Sequence, residues 1–136
     1  MGDVVVDVLH PPEASFGEHD NAASIVLSVE YAGRRIILPG DVDEDGLDLL
    51  LQSGRRRCEV LLAPHHGSLK TDAPGLAEWC SPRWVVVSGY HEARIEPVAR
   101  EYRAAGAEVL YTGDVGAVTV TMGADEVRVE AHMGVQ

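Results

Sequence analysis

Apolar residues fall along this chain in short runs separated by turn-forming clusters. Residues 4–9, Val-Val-Val-Asp-Val-Leu, are rich in β-branched side chains and predict a strand. His10-Pro11-Pro12 ends it, because proline cannot donate to a ladder. Residues 13–20 are polar and read as a loop. Residues 24–31 set Ile25, Leu27, Val29 and Tyr31 on one side with a period of two. Ala32-Gly33 then predicts a hairpin turn into a strand over residues 34–38. Residues 43–53 begin acidic, continue with Leu47, Leu49, Leu50 and Leu51, and predict a helix that Gly54 stops.

The second half alternates more regularly. Residues 60–63 and 84–88 read as short buried strands, and residues 74–80 as a helix between them. A further helix is predicted from about Glu96 to Ala105, with Pro97 in its first turn and Gly106 just past its end. Residues 108–111, 117–121 and 127–131 read as strands, punctuated by Gly113, Gly116 and Gly123. A hairpin, then strand–helix alternation, then a terminal hairpin predicts one α/β layered domain over residues 1–136.

Composition narrows the function classes. With 46% apolar residues the chain can build a core without disulfides, so Cys58 and Cys80 read as buried free thiols. The net charge is −11, from 22 acidic and 11 basic residues. A chain this acidic lacks the cationic footprint of a general nucleic-acid binder. Its one basic cluster, Arg55-Arg56-Arg57, follows the Leu-rich helix and reads as a complement to that helix's C-terminal dipole. No stretch reaches the ~20 apolar residues of a membrane span. No signal peptide is visible either, so a cytoplasmic location is the expectation.

Two motifs carry candidate chemistry. Gly40-Asp41 and Pro64-His65-His66-Gly67-Ser68 each follow an apolar strand. Carboxylate and imidazole at the ends of buried strands suggest a metal site on the rim of a sheet, and both are ligands for zinc, manganese or iron. Asp41 could equally cap the helix that follows it. His65 and His66 would point apart on an extended backbone, but on a turn both can face one cleft. One would then bind metal and the other orient substrate or an outer-shell group. Ser88, at the end of another buried strand, joins the same rim if the strands run parallel. His91 reads as exposed and Asp114 as a turn residue. His10, His19 and Asp20-Asn21 lie in loops that could reach the cleft. The chain has no His-x-His-x-Asp-His, His-Glu-x-x-His or Cys-x-x-Cys, so it supplies only part of a metal site. A Gly-x-Ser-x-Gly elbow and phosphate-binding glycine loops are also missing.

Taken in order, Val8-Leu9-His10-Pro11-Pro12, Asn21-x-x-Ser24-Ile25-Val26-Leu27, Leu38-Pro39-Gly40-Asp41, Leu61-Leu62-Ala63-Pro64-His65-His66-Gly67-Ser68, Val87-Ser88 and Tyr111-Thr112-Gly113-Asp114-x-Gly116-Ala117-Val118 resemble the C-terminal half of the metallo-β-lactamase-like domain of ComEC-type competence proteins. The resemblance implies a half or partial αββα sandwich, with a mixed sheet and helices on one face. It implies a metal-dependent hydrolase of the phosphodiester or DNA class, holding one or two zinc or manganese ions. By position, Asp41 resembles the carboxylate that bridges two metals, and His65 or His66 the late histidine ligand. Asn21 and Ser88 resemble polar groups lining the site. His65, His66 and Ser88 are thus the candidate catalytic residues, and Asp41, His65 and His66 the candidate metal ligands. Pro39, where the family often has Thr or Ser, and Glu96-Pro97, where it often has His-Pro, depart from the pattern. The missing ligands imply a complementary chain or a homodimer mate. The alternative is a degenerate module of the same fold that serves as a non-catalytic interaction unit.

Overall fold

In a computed structural model, residues 3–10, 24–42, 44–68, 71–89 and 92–132 are described, residues 44, 45, 65, 67 and 92–95 by their backbone alone. Strands β1 (Val5–His10), β2 (Val26–Tyr31) and β3 (Arg34–Leu38) form an antiparallel meander, with Ala32-Gly33 as its second turn. From β3 the chain passes through helix α1 (Glu44–Leu51) to β4 (Val60–Leu62), then through a 3₁₀ turn (Pro64–Gly67) and α2 (Ala73–Cys80) to β5 (Trp84–Val87). Helix α3 (Glu92–Ala104) leads on to β6 (Glu108–Tyr111). Strands β3 to β6 are parallel, and the six strands lie in sequence order in one mixed sheet. Right-handed crossovers that advance steadily in one direction put all their helices on one face. The contacts of α1 with α2 and of α2 with α3 agree with that single helical layer.

The core lies between this layer and the sheet. Val26, Ile37, Leu61, Val85 and Val87 project from the strands to meet Leu47, Leu50, Leu76, Trp79, Val98 and Tyr102, all nearly excluded from solvent. The period-two stripe of β2 is therefore inverted relative to burial. Val26 and Ser28 face the helices, whereas Leu27, Val29 and Tyr31 are half-buried on the opposite face. A four-residue helix α4 (Thr112–Val115) then delivers the chain to a separate hairpin, β7 (Ala117–Met122) and β8 (Val127–His132). Arg34, at the start of β3, donates from its guanidinium to the Ala124 carbonyl at 2.9 Å and also to the Asp125 carbonyl, which ties the hairpin tip to the sheet.

Several expected boundaries move. Helix α3 starts at Glu92, so Pro97 sits in its interior rather than its first turn. His10 ends β1 as a buried residue and is not in a loop. The arginine cluster begins beyond α1, whose last turn holds no base; Arg55 instead pairs with Glu78 on α2 at 3.3 Å. Strand β1 is exposed despite its apolar sequence, with Val5, Val6 and Val8 at 48%, 55% and 61% accessibility, which marks it as an uncovered edge. No helix among the described residues is long and apolar enough to cross a membrane.

Two groups on the helical side keep their protons above the ordinary range. The Cys58 thiol is pushed up by its hydrogen bond to Cys80, with burial adding to the effect. Tyr102 is raised chiefly by burial, and its hydroxyl has no hydrogen-bond partner among the described residues. The unfolded chain ionises these groups from about pH 8.5 and about pH 10 respectively. Above those values the folded state binds more protons than the unfolded one, so stability present below pH ~8.5 is lost as pH rises. Urea unfolding should show this decline, with a slope of up to ~1.4 kcal/mol per pH unit for each group. Cys58→Ala should remove the earlier part. Tyr102→Phe should remove the later part at a cost under ~1 kcal/mol at neutral pH, because no hydrogen bond is lost. A flat profile to pH 11 in the parent chain would contradict this account.

Candidate functional site

Parallel pairing sets the C-terminal ends of β3, β4, β5 and β6 along one rim, the position at which clefts open in α/β sheets. Each candidate residue stands just past one of these ends. After β3, Pro39-Gly40-Asp41 turns the chain, and Val42 N–H closes the turn on the Pro39 carbonyl at 3.3 Å. Gly40 has φ 60°, and a Cβ there would come within 3.3 Å of the Ile25 carbonyl oxygen, so both conformation and space favour glycine. Asp41 emerges half-exposed from that turn.

After β4, Ala63 N–H still bonds the Val86 carbonyl at 2.8 Å, which carries the sheet one residue further. The 3₁₀ turn follows directly. Within it His66 adopts φ 53°, a left-handed conformation uncommon for a side chain of this size and concentrated at functional positions. The pair thus lies on a turn and not on an extended strand. The far end of the loop is fixed by Thr71, wholly buried, whose N–H and hydroxyl both donate to the Ser68 carbonyl, at 3.2 and 2.5 Å.

The His66 ring is held from one side. Its Nδ1 lies 3.1 Å from the backbone carbonyl oxygen of Ser88, past the end of β5. A carbonyl oxygen can only accept, so Nδ1 carries the hydrogen. The other nitrogen, Nε2, lies 4.0 Å from Asp41 Oδ1. A neutral ring in this tautomer leaves Nε2 an acceptor 4.0 Å from a carboxylate oxygen that is also an acceptor. Both side chains are more than half exposed, so water can serve both, and a second proton on the ring or a cation between them could do the same.

The rim thus gathers Asp41, His66 and Ser88, the last through its main chain rather than its hydroxyl. The His65 side chain, and all of His19, Asp20, Asn21 and His91, fall outside the described residues. Glu96 is engaged elsewhere, with Arg103 on the same helix at 3.3 Å. Asp114 is exposed in the first turn of α4. His10 reaches the same rim from β1, which runs parallel to β3 across the meander, but it is buried. Among the described residues no group of three or more His, Cys, Asp or Glu could hold a metal ion.

Sequence reasoning passed over Thr112. Its hydroxyl oxygen accepts from the Gly89 N–H at 3.2 Å, and that N–H belongs to the same peptide unit as the Ser88 carbonyl. The signal was present in the strand spacing. Val87 pairs with Tyr111 as the last residues of β5 and β6, so positions 88 and 112 leave the sheet side by side.

No protein-family model matches the chain. Over 117 residues it is 32% identical to a competence protein, ComA, of Neisseria gonorrhoeae. The aligned region covers 82% of this chain but only 17% of that protein, so the chain spans about a sixth of its relative's length. Identity at this level over most of the chain makes it a relative of a competence protein.

Proposed function

We propose that this chain is the C-terminal part of a metallo-β-lactamase-type, metal-dependent hydrolase with phosphodiesters of DNA as its substrate class, and that its role is in competence. The observation that carries the reading is the His66–Asp41 arrangement: a backbone carbonyl fixes the tautomer that aims Nε2 at a carboxylate 4.0 Å away. The relation to a competence protein supports the substrate class. The six-stranded mixed sheet, helices on one face and a separate hairpin are consistent with part of an αββα sandwich.

The donor set suits a divalent ion in kind. His66 Nε2 and Asp41 Oδ1 would be two of its ligands, with His65 as a third candidate, and borderline zinc or manganese accepts nitrogen and oxygen together. When bound, such an ion supplies Lewis acidity toward water and toward a phosphoryl oxygen, and it offsets the repulsion between a −11 chain and a phosphate. The protein's own contribution is orientation. The Ser88 carbonyl holds the imidazole, and the Gly40 turn holds the carboxylate. The second histidine of the pair would serve the substrate oxygen or the leaving group as a proton donor. Two donors do not complete a site, so the remaining ligands would come from a His-x-His-x-Asp-His sequence outside these 136 residues, on the same polypeptide or on a complementary chain.

The exposed valines of β1 favour a second reading, a non-catalytic interaction module that docks through this edge. Size-exclusion chromatography bears on it, since a well-behaved monomer across the micromolar range counts against a self-docking edge.

Calorimetric titration tests the main reading. Zinc or manganese should bind weakly to the lone chain and stoichiometrically once a polypeptide bearing His-x-His-x-Asp-His is added. Tight one-to-one uptake by the isolated monomer would overturn the half-site. A companion measurement separates ligation from a structural ion pair. Both side chains are more than half exposed, so Asp41→Asn and His66→Gln should each change the unfolding free energy by less than ~0.5 kcal/mol while abolishing complemented uptake. A stability loss near 2 kcal/mol with uptake intact would assign the pair to the fold instead.

A further inference from the structure

Beyond Asp41 and His66, the rim contains a peptide unit held at both ends. The 88–89 peptide lies past the last paired residue of β5, so no ladder bond orients it. Its carbonyl oxygen accepts from His66 Nδ1 at 3.1 Å, and its N–H donates to Thr112 Oγ1 at 3.2 Å. A planar trans peptide points these two groups in opposite directions, so fixing one fixes the other. A hydrogen bond accepted from the N–H also polarises the amide and makes its carbonyl a better acceptor. Thr112 is itself well anchored. It follows Tyr111, a buried residue paired with Val87, and its carbonyl accepts from the Gly116 N–H at 3.0 Å. Beside it, a Cβ on Gly113 would come within 2.4 Å of the Tyr111 ring, so a larger residue there would force that buried ring to move.

We propose that Thr112 is a positioning residue for His66. Its hydroxyl oxygen holds the 88–89 peptide so that the Ser88 carbonyl takes the Nδ1 hydrogen and Nε2 stays turned toward Asp41. The orientation rests on geometry alone; its consequence for metal uptake rests on the function proposed above. Without the Thr112 oxygen the loop peptide is free to rotate, its carbonyl leaves the ring, and the imidazole reverts to the Nε2–H form favoured in water.

The test reads the tautomer directly. Imidazole ¹⁵N shifts of the intact chain are recorded at a pH where the ring is neutral, and the His66 signals are assigned by their loss in His66→Gln. The parent should show His66 predominantly as Nδ1–H. Thr112→Val, equal in shape but lacking the oxygen, should make Nε2–H the major form, and Thr112→Ser should restore the parent pattern. An unchanged tautomer in Thr112→Val, or Nε2–H in the parent, would overturn the proposal. Hydrogen exchange of the Gly89 amide in the parent needs no variant. Protection supports the clamp, and exchange at the rate of an open loop refutes it, even if Thr112→Val does not fold. A zinc arm separates the two claims. In the complemented site Thr112→Val should weaken uptake by roughly 10- to 100-fold, the usual effect of losing an outer-shell partner. A tautomer that follows Thr112 in a chain taking up no zinc with its complement supports the positioning role and retires the metal reading.

Discussion

The hydrogen bond between His66 Nδ1 and the Ser88 carbonyl is the constraint on which the arrangement of the rim depends. It joins two crossover units, because His66 follows β4 and Ser88 follows β5. The sheet brings the two within reach, and the left-handed turn at His66 swings the ring across. A carbonyl with no proton to give removes the ambiguity of imidazole, so what reaches Asp41 is a lone pair rather than an N–H whenever the ring is neutral. Had the ring met the Ser88 hydroxyl, which both donates and accepts, either tautomer would have been possible and the face toward Asp41 undefined. The choice of a main-chain acceptor makes the site's polarity a property of the fold.

The core is well packed away from the rim. Between sheet and helices the side chains are buried to within a few per cent, from Val26 through Leu61 and Val85 to Tyr102. Each aliphatic residue so buried contributes about 1.5–3 kcal/mol. Asp41 and His66, by contrast, are solvated and contribute little to holding the chain together. The residues that hold the fold together are therefore separate from the pair assigned to the proposed site.

Much of this was legible in the sequence because strong local signals agreed with tertiary demands. Short β-branched runs, the Ala32-Gly33 turn and the glycines after β3 and β6 fixed the strand order closely. The Gly-Asp and His-His pairs were placed at strand ends because each follows a buried run, and parallel pairing sets those ends on one rim. Three features were hidden for physical reasons. The start of α3 was misplaced because Pro97 reads as a first-turn residue, yet here the helix continues through it. The exposure of β1 is invisible to hydrophobicity, which reports what a strand could bury and not whether a neighbour is there. The contacts of the Ser88 carbonyl with His66 and of the Thr112 hydroxyl with the Gly89 N–H were not legible, because one runs through a backbone and both join the ends of neighbouring strands. Residue type carries no record of either.

Charge explains the placement of what little base the chain has. Arg35 is spent on Glu30 at 2.6 Å, Arg55 on Glu78, Arg103 on Glu96 and Arg128 on Glu126. The Arg55–Arg57 cluster lies before β4, at the end of the sheet opposite to the rim, because β4 runs from that cluster toward His65 and His66. No arginine cluster therefore stands beside Asp41 and His66 among the described residues. A polyanion approaching the rim would meet a carboxylate and a net charge of −11, so any attraction the proposed function needs would have to arise at the rim itself. A proton on His66 supplies one positive charge at most. A divalent cation would supply two at the point where Nε2 and Asp41 Oδ1 stand 4.0 Å apart, so under the proposed function metal loading and phosphate affinity would be a single requirement rather than two.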